Sequence, residues 1–198
     1  MSEAGRRFAA AQSRAGFLGV VASLPCLWIN HPARDQQANY KPWQLRVADQ
    51  LGLNPPRTIV TNNPAAGRKF AADVGGPIIT KSLGAPVDTV VVDPAEFDDS
   101  VRLCAHIFQE WIEKSHEVRL TVVGSRFFAV EIHAGSAAGR IDWRTDYATN
   151  TYKPTAVPSG VRERAVALMR RFGLVFGAFD FIVTPSEDPT RPVGTLGD

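Results

Sequence analysis

Cysteine is nearly absent. Cys26 and Cys104 are the two in 198 residues, and each stands alone. That excludes a disulfide framework and a paired-thiol metal site, and leaves two free thiols expected to be buried. An excess of one charge is also lacking. Lys and Arg number 22 against 20 Asp and Glu, a formal net charge of +2, with no dense basic run. Composition therefore gives no case for nucleic acid as a partner. No apolar run is long enough to span a bilayer, since residues 15–27 include Gly16, Gly19 and Pro25. A clear small-residue cleavage site is missing too, so a cytoplasmic protein without a membrane partner is expected. The histidines, His31, His106, His116 and His133, lack metal-ligand spacing. Neither a G-x-S-x-G elbow nor a Cys/His nucleophile arrangement is visible, and there are no repeats.

What remains is an ordinary composition, 44% apolar and 21% charged. The length suits one sizeable core or two small lobes sharing one cleft. Local patterns predict a mixed α/β protein. Residues 2–22 read as a helix with Phe8, Phe17, Leu18 and Val21 as its apolar positions. Residues 26–29 form a short apolar run, expected as a buried strand or extended segment. Pro42 opens a second helix that carries Trp43, Leu45, Val47, Ala48 and Leu51 and ends at Gly52. Asn63 caps a third, over residues 65–72. Strands are expected at 58–61, 77–81, 88–93, 101–108, 117–124, 126–134 and 176–184, with a tight hairpin turn at Gly124-Ser125. Residues 161–172 form an amphipathic helix stopped by Gly173. The last residues, rich in Pro and Gly and poor in apolar side chains, are expected to be disordered.

The run Gly75-Gly76-Pro77-Ile78-Ile79-Thr80-Lys81-Ser82 almost fits a phosphate loop. Thr80 stands where the second glycine should be, and β-branched residues fill the spacer. A strand cannot turn successive N–H groups inward, so Lys81 is expected to project from a strand into a cleft. Lys41 is a second lysine in a local context suited to phosphate. Asp93, Glu96, Asp98 and Asp99 read as a solvated acidic loop.

Several segments share one order with a known family. They are Asn30-His31-Pro32, Asn39-Tyr40-Lys41-Pro42-Trp43-Gln44-Leu45, Gly52-Leu53-Asn54-Pro55-Pro56-Arg57-Thr58, Ile79-Thr80-Lys81, Gln109-Glu110-Trp111-Ile112-Glu113-Lys114, Glu117-Val118-Arg119, Asp142-Trp143-Arg144 and Gly177-Ala178-Phe179-Asp180-Phe181. The chain from about residue 16 to 184 resembles the ATP-grasp ligases, and within them the graspetide or microviridin-type maturases of ribosomally made peptides. The resemblance implies an α/β (α+β) ATP-grasp fold with two lobes and a nucleotide cleft between them. It implies ATP and Mg2+ as cofactors and a precursor peptide as substrate. Lys41 and Lys81 match the lysines on the ATP phosphates. Glu110, Trp111 and Ile112 match the adenine hinge, and Glu117 the acid near the ribose. Arg144 matches the arginine facing the γ-phosphate and acyl phosphate, Asp180 the first metal carboxylate, and Arg119 a support of the cleft.

The implied organisation is a remnant of a preceding domain or linker (1–35), a first lobe (36–100), an incomplete second lobe (101–184) and a disordered tail (185–198). The family pattern continues past Asp180 into a returning strand bearing Glu-x-Asn. Here Glu187 is not followed by Asn two residues on, and no apolar run surrounds it. The last metal-binding strand is therefore expected to be missing, the metal site weakened and the ligase impaired, as in a shortened reading frame. Two other readings stay open: a non-catalytic nucleotide- or peptide-binding module, and an ATP-grasp ligase acting on small amino acids. A homo-oligomer is left open as well.

Overall fold

The computed structural model describes residues 1–84 and 88–185 and the backbone of residues 193–195. The elements are α1 (Glu3–Ala22), α2 (Pro32–Ala38), α3 (Lys41–Gln50), β1 (Thr58–Thr61), α4 (Pro64–Val74), β2 (Ile78–Lys81), β3 (Val90–Val92), β4 (His106–Glu110), β5 (His116–Val123), β6 (Arg126–His133), α5 (Ala137–Ile141), β7 (Thr151–Pro154), α6 (Ser159–Phe172), β8 (Phe176–Val183) and β9 (Val193–Thr195). They form two antiparallel sheets. The first has strand order β1-β4-β2-β3, the second β7-β6-β5-β8-β9.

Local chemistry sets the element ends. The Asn63 side chain accepts from the Ala65 amide at 2.9 Å and starts α4, with Pro64 in its first turn. Gly173 closes α6 in the left-handed region at φ 68°. Gly124 turns the β5–β6 hairpin, as its spacing predicts.

Each sheet has its own core. On the first, Ala71 of α4 packs with Ile78, Phe108, Phe97 and Val101. On the second, α6 presents Val161, Ala165, Leu168, Met169 and Phe172, one stripe of a 3.6-residue repeat, to Leu120, Val122, Phe179 and Phe181. Ala38, Val47, Ala48 and Leu53 join this second core, and Trp43 meets Phe172 edge-on at 5.1 Å. Asn30 fixes the segment before α2 to the start of β8. Its side chain accepts from the Val175 and Phe176 amides at 2.8 and 2.9 Å and donates to the Phe176 carbonyl.

Several expectations need correction. Residues 26–29 form no strand, and Leu27 and Ile29 are exposed. Both cysteines are free, but both are exposed rather than buried. The first part of the 101–108 run is a 3-10 turn over Asp99–Leu103, started by the Asp98 side chain, which accepts from the Ser100 amide at 2.8 Å. The strand begins only at His106. A boundary at residue 100 does not follow the cores: β4 is central in the first sheet, and α2 and α3 pack on the second. Within the tail, Val193–Thr195 forms a strand beside β8, with Thr195 opposite Asp180. Residues 186–192 and 196–198, expected to be disordered, lie outside the described residues. α1 has the expected span, with every residue outside the core. No helix among the described residues is long and apolar enough to cross a membrane.

The second core predicts its own weakest substitution. Phe172 is 1% exposed, and Phe172→Ala should cost about 3–5 kcal/mol in a urea unfolding series. A loss below about 1 kcal/mol would show that α6 is not the main cover of this sheet.

Candidate functional site

Alternation in three strands builds the site. In β2, Ile78 enters the first core, so Ile79 and Lys81 face the other way. In β5, Leu120 and Val122 enter the second core, so Glu117 and Arg119 share the opposite face. In β8, Phe179 and Phe181 take the core side and leave Asp180 and Ile182 facing the cleft. The β5–β8 register sets Arg119 directly opposite Asp180. Between the sheets lies a hollow lined by Ile79, Lys81, Thr89, Glu110, Trp111, Ile112, Lys114, Glu117, Asp142, Arg144 and Asp180.

The structure thus brings Lys81, Glu110, Trp111, Ile112, Glu117, Arg144 and Asp180 to one place. Lys41 is not in this lining. It is half-buried in the first turn of α3, and its charge acts on Lys81. The P-loop reading is excluded, because Lys81 ends a strand paired with β3 and β4.

Charge in the hollow is balanced by short links. Arg119 donates to both Asp180 oxygens, at 3.1 and 3.2 Å, and the Arg144 guanidinium donates to the same carboxylate. Arg144 also meets Asp142 at 3.3 Å, and Asp142 accepts from the Thr89 hydroxyl at 3.0 Å. Both guanidiniums lie over the Trp143 ring, Arg144 at 4.8 Å and Arg119 at 5.5 Å from its centre. Trp143 is held in turn by Asn150, which donates to its carbonyl at 2.8 Å. Gly135 lets the loop before α5 close on Thr149, since a Cβ there would fall 2.3 Å from the Thr149 carbonyl oxygen. Lys114 and Glu117 form a further ion pair, with side chains 9% and 10% exposed.

Burial and neighbours shift the ionisable groups. Burial pushes the Lys81 ammonium below its usual pKa; Asp142 and Glu117 oppose this, while Lys41 and Arg144 add to it. Burial raises the Glu117 carboxyl, and Lys114 is the main opposing influence. For Asp142 burial acts upward, but hydrogen bonds from Arg144 and Thr89 outweigh it and leave the carboxyl low. For Arg144 burial acts downward and is outweighed by Asp180 and Asp142.

The donor set fits a nucleotide. A half-buried ammonium and a guanidinium stand across from an acid in a narrow cleft. At the end of β4, the Glu110 amide is used by the Arg57 carbonyl and the Trp111 amide by the Pro77 carbonyl, each at 3.0 Å. Glu110 also accepts from the Arg57 amide at 2.8 Å, so its carboxylate braces the first sheet. The Trp111 indole N–H is buried with no partner among the described residues. A metal is a different case. No group of three His, Cys, Asp or Glu side chains able to hold an ion occurs among the described residues. The arrangement fits a metal carried on phosphate oxygens, with Asp180 as a protein carboxylate, rather than a protein cage.

Sequence reasoning gave no role to Lys114, Thr89 or Asp142. Lys114 ends the segment from Gln109, but nothing local separates a buried lysine from a solvated one. The signal was its acidic partner three residues on.

Two antiparallel sheets, each backed by helices and facing each other across this cleft, are the fold of the ATP-grasp ligases. D-alanine–D-alanine ligase from Bacillus anthracis matches 80% of the chain and 56% of its own length at TM-score 0.55 and 15% identity, a likeness of fold. By sequence as well as fold, the chain is similar to ATP-grasp macrocyclases of ribosomally made peptides. Macrocyclase MdnC from Microcystis aeruginosa MRC, solved with the precursor peptide MdnA, is 33% identical at TM-score 0.84, over 99% of this chain and 64% of that one. A RiPP-associated ATP-grasp ligase from Chryseobacterium gregarium, solved with ADP and a leader and core peptide, is 26% identical at TM-score 0.87, over 99% and 62%. The chain therefore spans less than two thirds of these relatives. No protein-family model matches it, and neither does any curated protein.

The Asp180 network can be probed without any ligand. Asp180→Asn removes the anion that the Arg119 and Arg144 guanidiniums share and leaves Arg144 with only Asp142. It should lower unfolding stability by about 1–3 kcal/mol in urea, less than a fully buried pair because both arginines are partly exposed. A variant as stable as the wild type would mean that Asp180 is not what holds the two arginines.

Proposed function

We propose that the chain is the nucleotide-binding part of an ATP-dependent ligase that closes ω-ester or ω-amide links in a ribosomally made precursor peptide. One observation carries this reading: Lys81, Glu117, Arg144, Asp180 and the 110–112 segment share one cleft between two sheets. The resemblance to peptide macrocyclases supplies the substrate class. A cytoplasmic setting goes with it.

In this reading a side-chain carboxylate oxygen of the peptide attacks the γ-phosphorus of ATP. The bond to the β-phosphate oxygen breaks, ADP leaves, and an acyl phosphate forms. A hydroxyl or amine of the same peptide then attacks the acyl carbon. Phosphate leaves, and the nucleophile gives up its proton. The chief obstacle is bringing two anions together. Lys81 and Lys41 take the triphosphate, and Arg144 faces the transferring group. Glu110, Trp111 and Ile112 hold the base, and Glu117 accepts from the ribose hydroxyls. Arg119 supports Asp180 from the neighbouring strand. Asp180 would hold magnesium, which neutralises charge across the phosphates. To do so Asp180 must exchange its guanidinium partners for a cation.

A second reading, a module that binds nucleotide or peptide without turnover, draws support from one observation. β9 lies beside Asp180, and its residues are Val193, Gly194 and Thr195, without the acid or amide of the family pattern.

Two measurements test the nucleotide assignment. Lys81→Ala should weaken ATP binding by about 10–100-fold, the loss of one charge-assisted contact or slightly more, with an unchanged circular dichroism spectrum. Unchanged affinity would remove Lys81 from the site. The second uses pH. Lys81 sits below its ordinary pKa, and an opposing phosphate would raise it. Binding should then take up protons at alkaline pH, where the free protein has lost more of that proton than the complex. Titration calorimetry in buffers of different ionisation enthalpy reads this, and Lys81→Ala should abolish it. Proton release, or no exchange at any alkaline pH, would contradict the assignment.

A further inference from the structure

Lys114 is a buried cation to which the reading above gives no role. It stands between β4 and β5, and its ammonium pairs with Glu117 three residues on. The same ammonium lies 3.4 Å from the carbonyl oxygen of Ile141, the last residue of α5. Asp142 and Arg144 follow directly. One side chain thus ties the acid of the second sheet to the loop that delivers the arginine. Two charges this enclosed are costly to bury apart, so each fixes the other where it is. A carboxylate has several acceptor positions, and one held by Lys114 leaves its remaining lone pairs in a set direction toward the hollow. Burial alone would draw a proton onto Glu117, and Lys114 is the strongest influence against it.

We infer that Lys114 is a positioning residue: its ammonium orients the Glu117 carboxylate so that it can accept from the two ribose hydroxyls. The inference rests on reading Glu117 as the ribose acid. It adds that the acid works only through its lysine. A cleft with Glu117 but without Lys114 would hold the base and phosphates and be indifferent to the sugar.

The test compares ATP with 2′,3′-dideoxyATP, which lacks both hydroxyls, by titration calorimetry on the full chain. The wild type should prefer ATP by about tenfold or more, the value of a charge-assisted hydrogen bond. Lys114→Met should bring the ratio close to one, and Lys114→Arg should restore most of it. In a Glu117→Gln background, Lys114→Met should change the ratio no further. A general loosening of the cleft would weaken both nucleotides together and leave their ratio unchanged. A Lys114→Met ratio equal to the wild-type one would overturn the inference while leaving Glu117 as the ribose acid. A wild-type ratio near one would overturn the ribose reading and this inference with it. If Lys114→Met fails to fold, Lys114→Gln replaces it. Gln should lower the ratio where Arg keeps it, and equal ratios for the two would overturn the inference.

Discussion

One carboxylate shared by two guanidiniums organises the cleft. Asp180 comes from β8, Arg119 from the strand beside it, and Arg144 from the 3-10 turn after α5. Without that anion, Arg119 and Arg144 would lose the carboxylate they share in a partly buried space. With it, the second sheet and the 142–144 turn are locked together, and Trp143 lies beneath both arginines as a flat support. In the proposed ligase, Asp180 would exchange these guanidiniums for a phosphate-borne cation and leave them in place for the phosphates.

Strand periodicity explains why this happens between the sheets and nowhere else among the described elements. β5 alternates apolar with polar or charged residues where it pairs with β8, and β8 sets Asp180 between Phe179 and Phe181. The apolar set is committed to α6, so the charged set has to face away from it. β2 does the same on a smaller scale, with Ile78 inward and Lys81 outward. A one-residue slip between β5 and β8 would part Arg119 from Asp180 and turn Asp180 toward Leu168 and Phe172. Register in this sheet is thus fixed by packing and by charge at once.

Much of this was readable in the chain. Asn63 and Gly173 marked helix ends through local chemistry, and runs of alternating or apolar side chains exposed β5, β6 and β8. The residues gathered in the cleft were found because a family's order of motifs named them; no local pattern would have separated Arg144 from any other surface arginine. What escaped was non-local or finely balanced. That Ala38 and Val47 pack with Leu168 depends on contacts more than a hundred residues apart, which no window of sequence carries. Residues 101–108 are rich in strand formers, and a capping aspartate turned the first of them into a 3-10 turn. Lys114 looked like any solvated lysine until the fold enclosed it. The apolar run at 26–29 looked like core, and the fold leaves Leu27 outside it.

The central claim is that this cleft holds a triphosphate, with its base at the 110–112 segment and its phosphates at Lys81. The most direct measurement is a crystal structure of the chain grown with magnesium and the non-hydrolysable analogue AMPPNP. The account predicts the adenine against Trp111 and Ile112, the ribose at Glu117 and the terminal phosphates between Lys81 and Arg144. A nucleotide bound elsewhere, or phosphates at the far end of the cleft from Lys81, would contradict it.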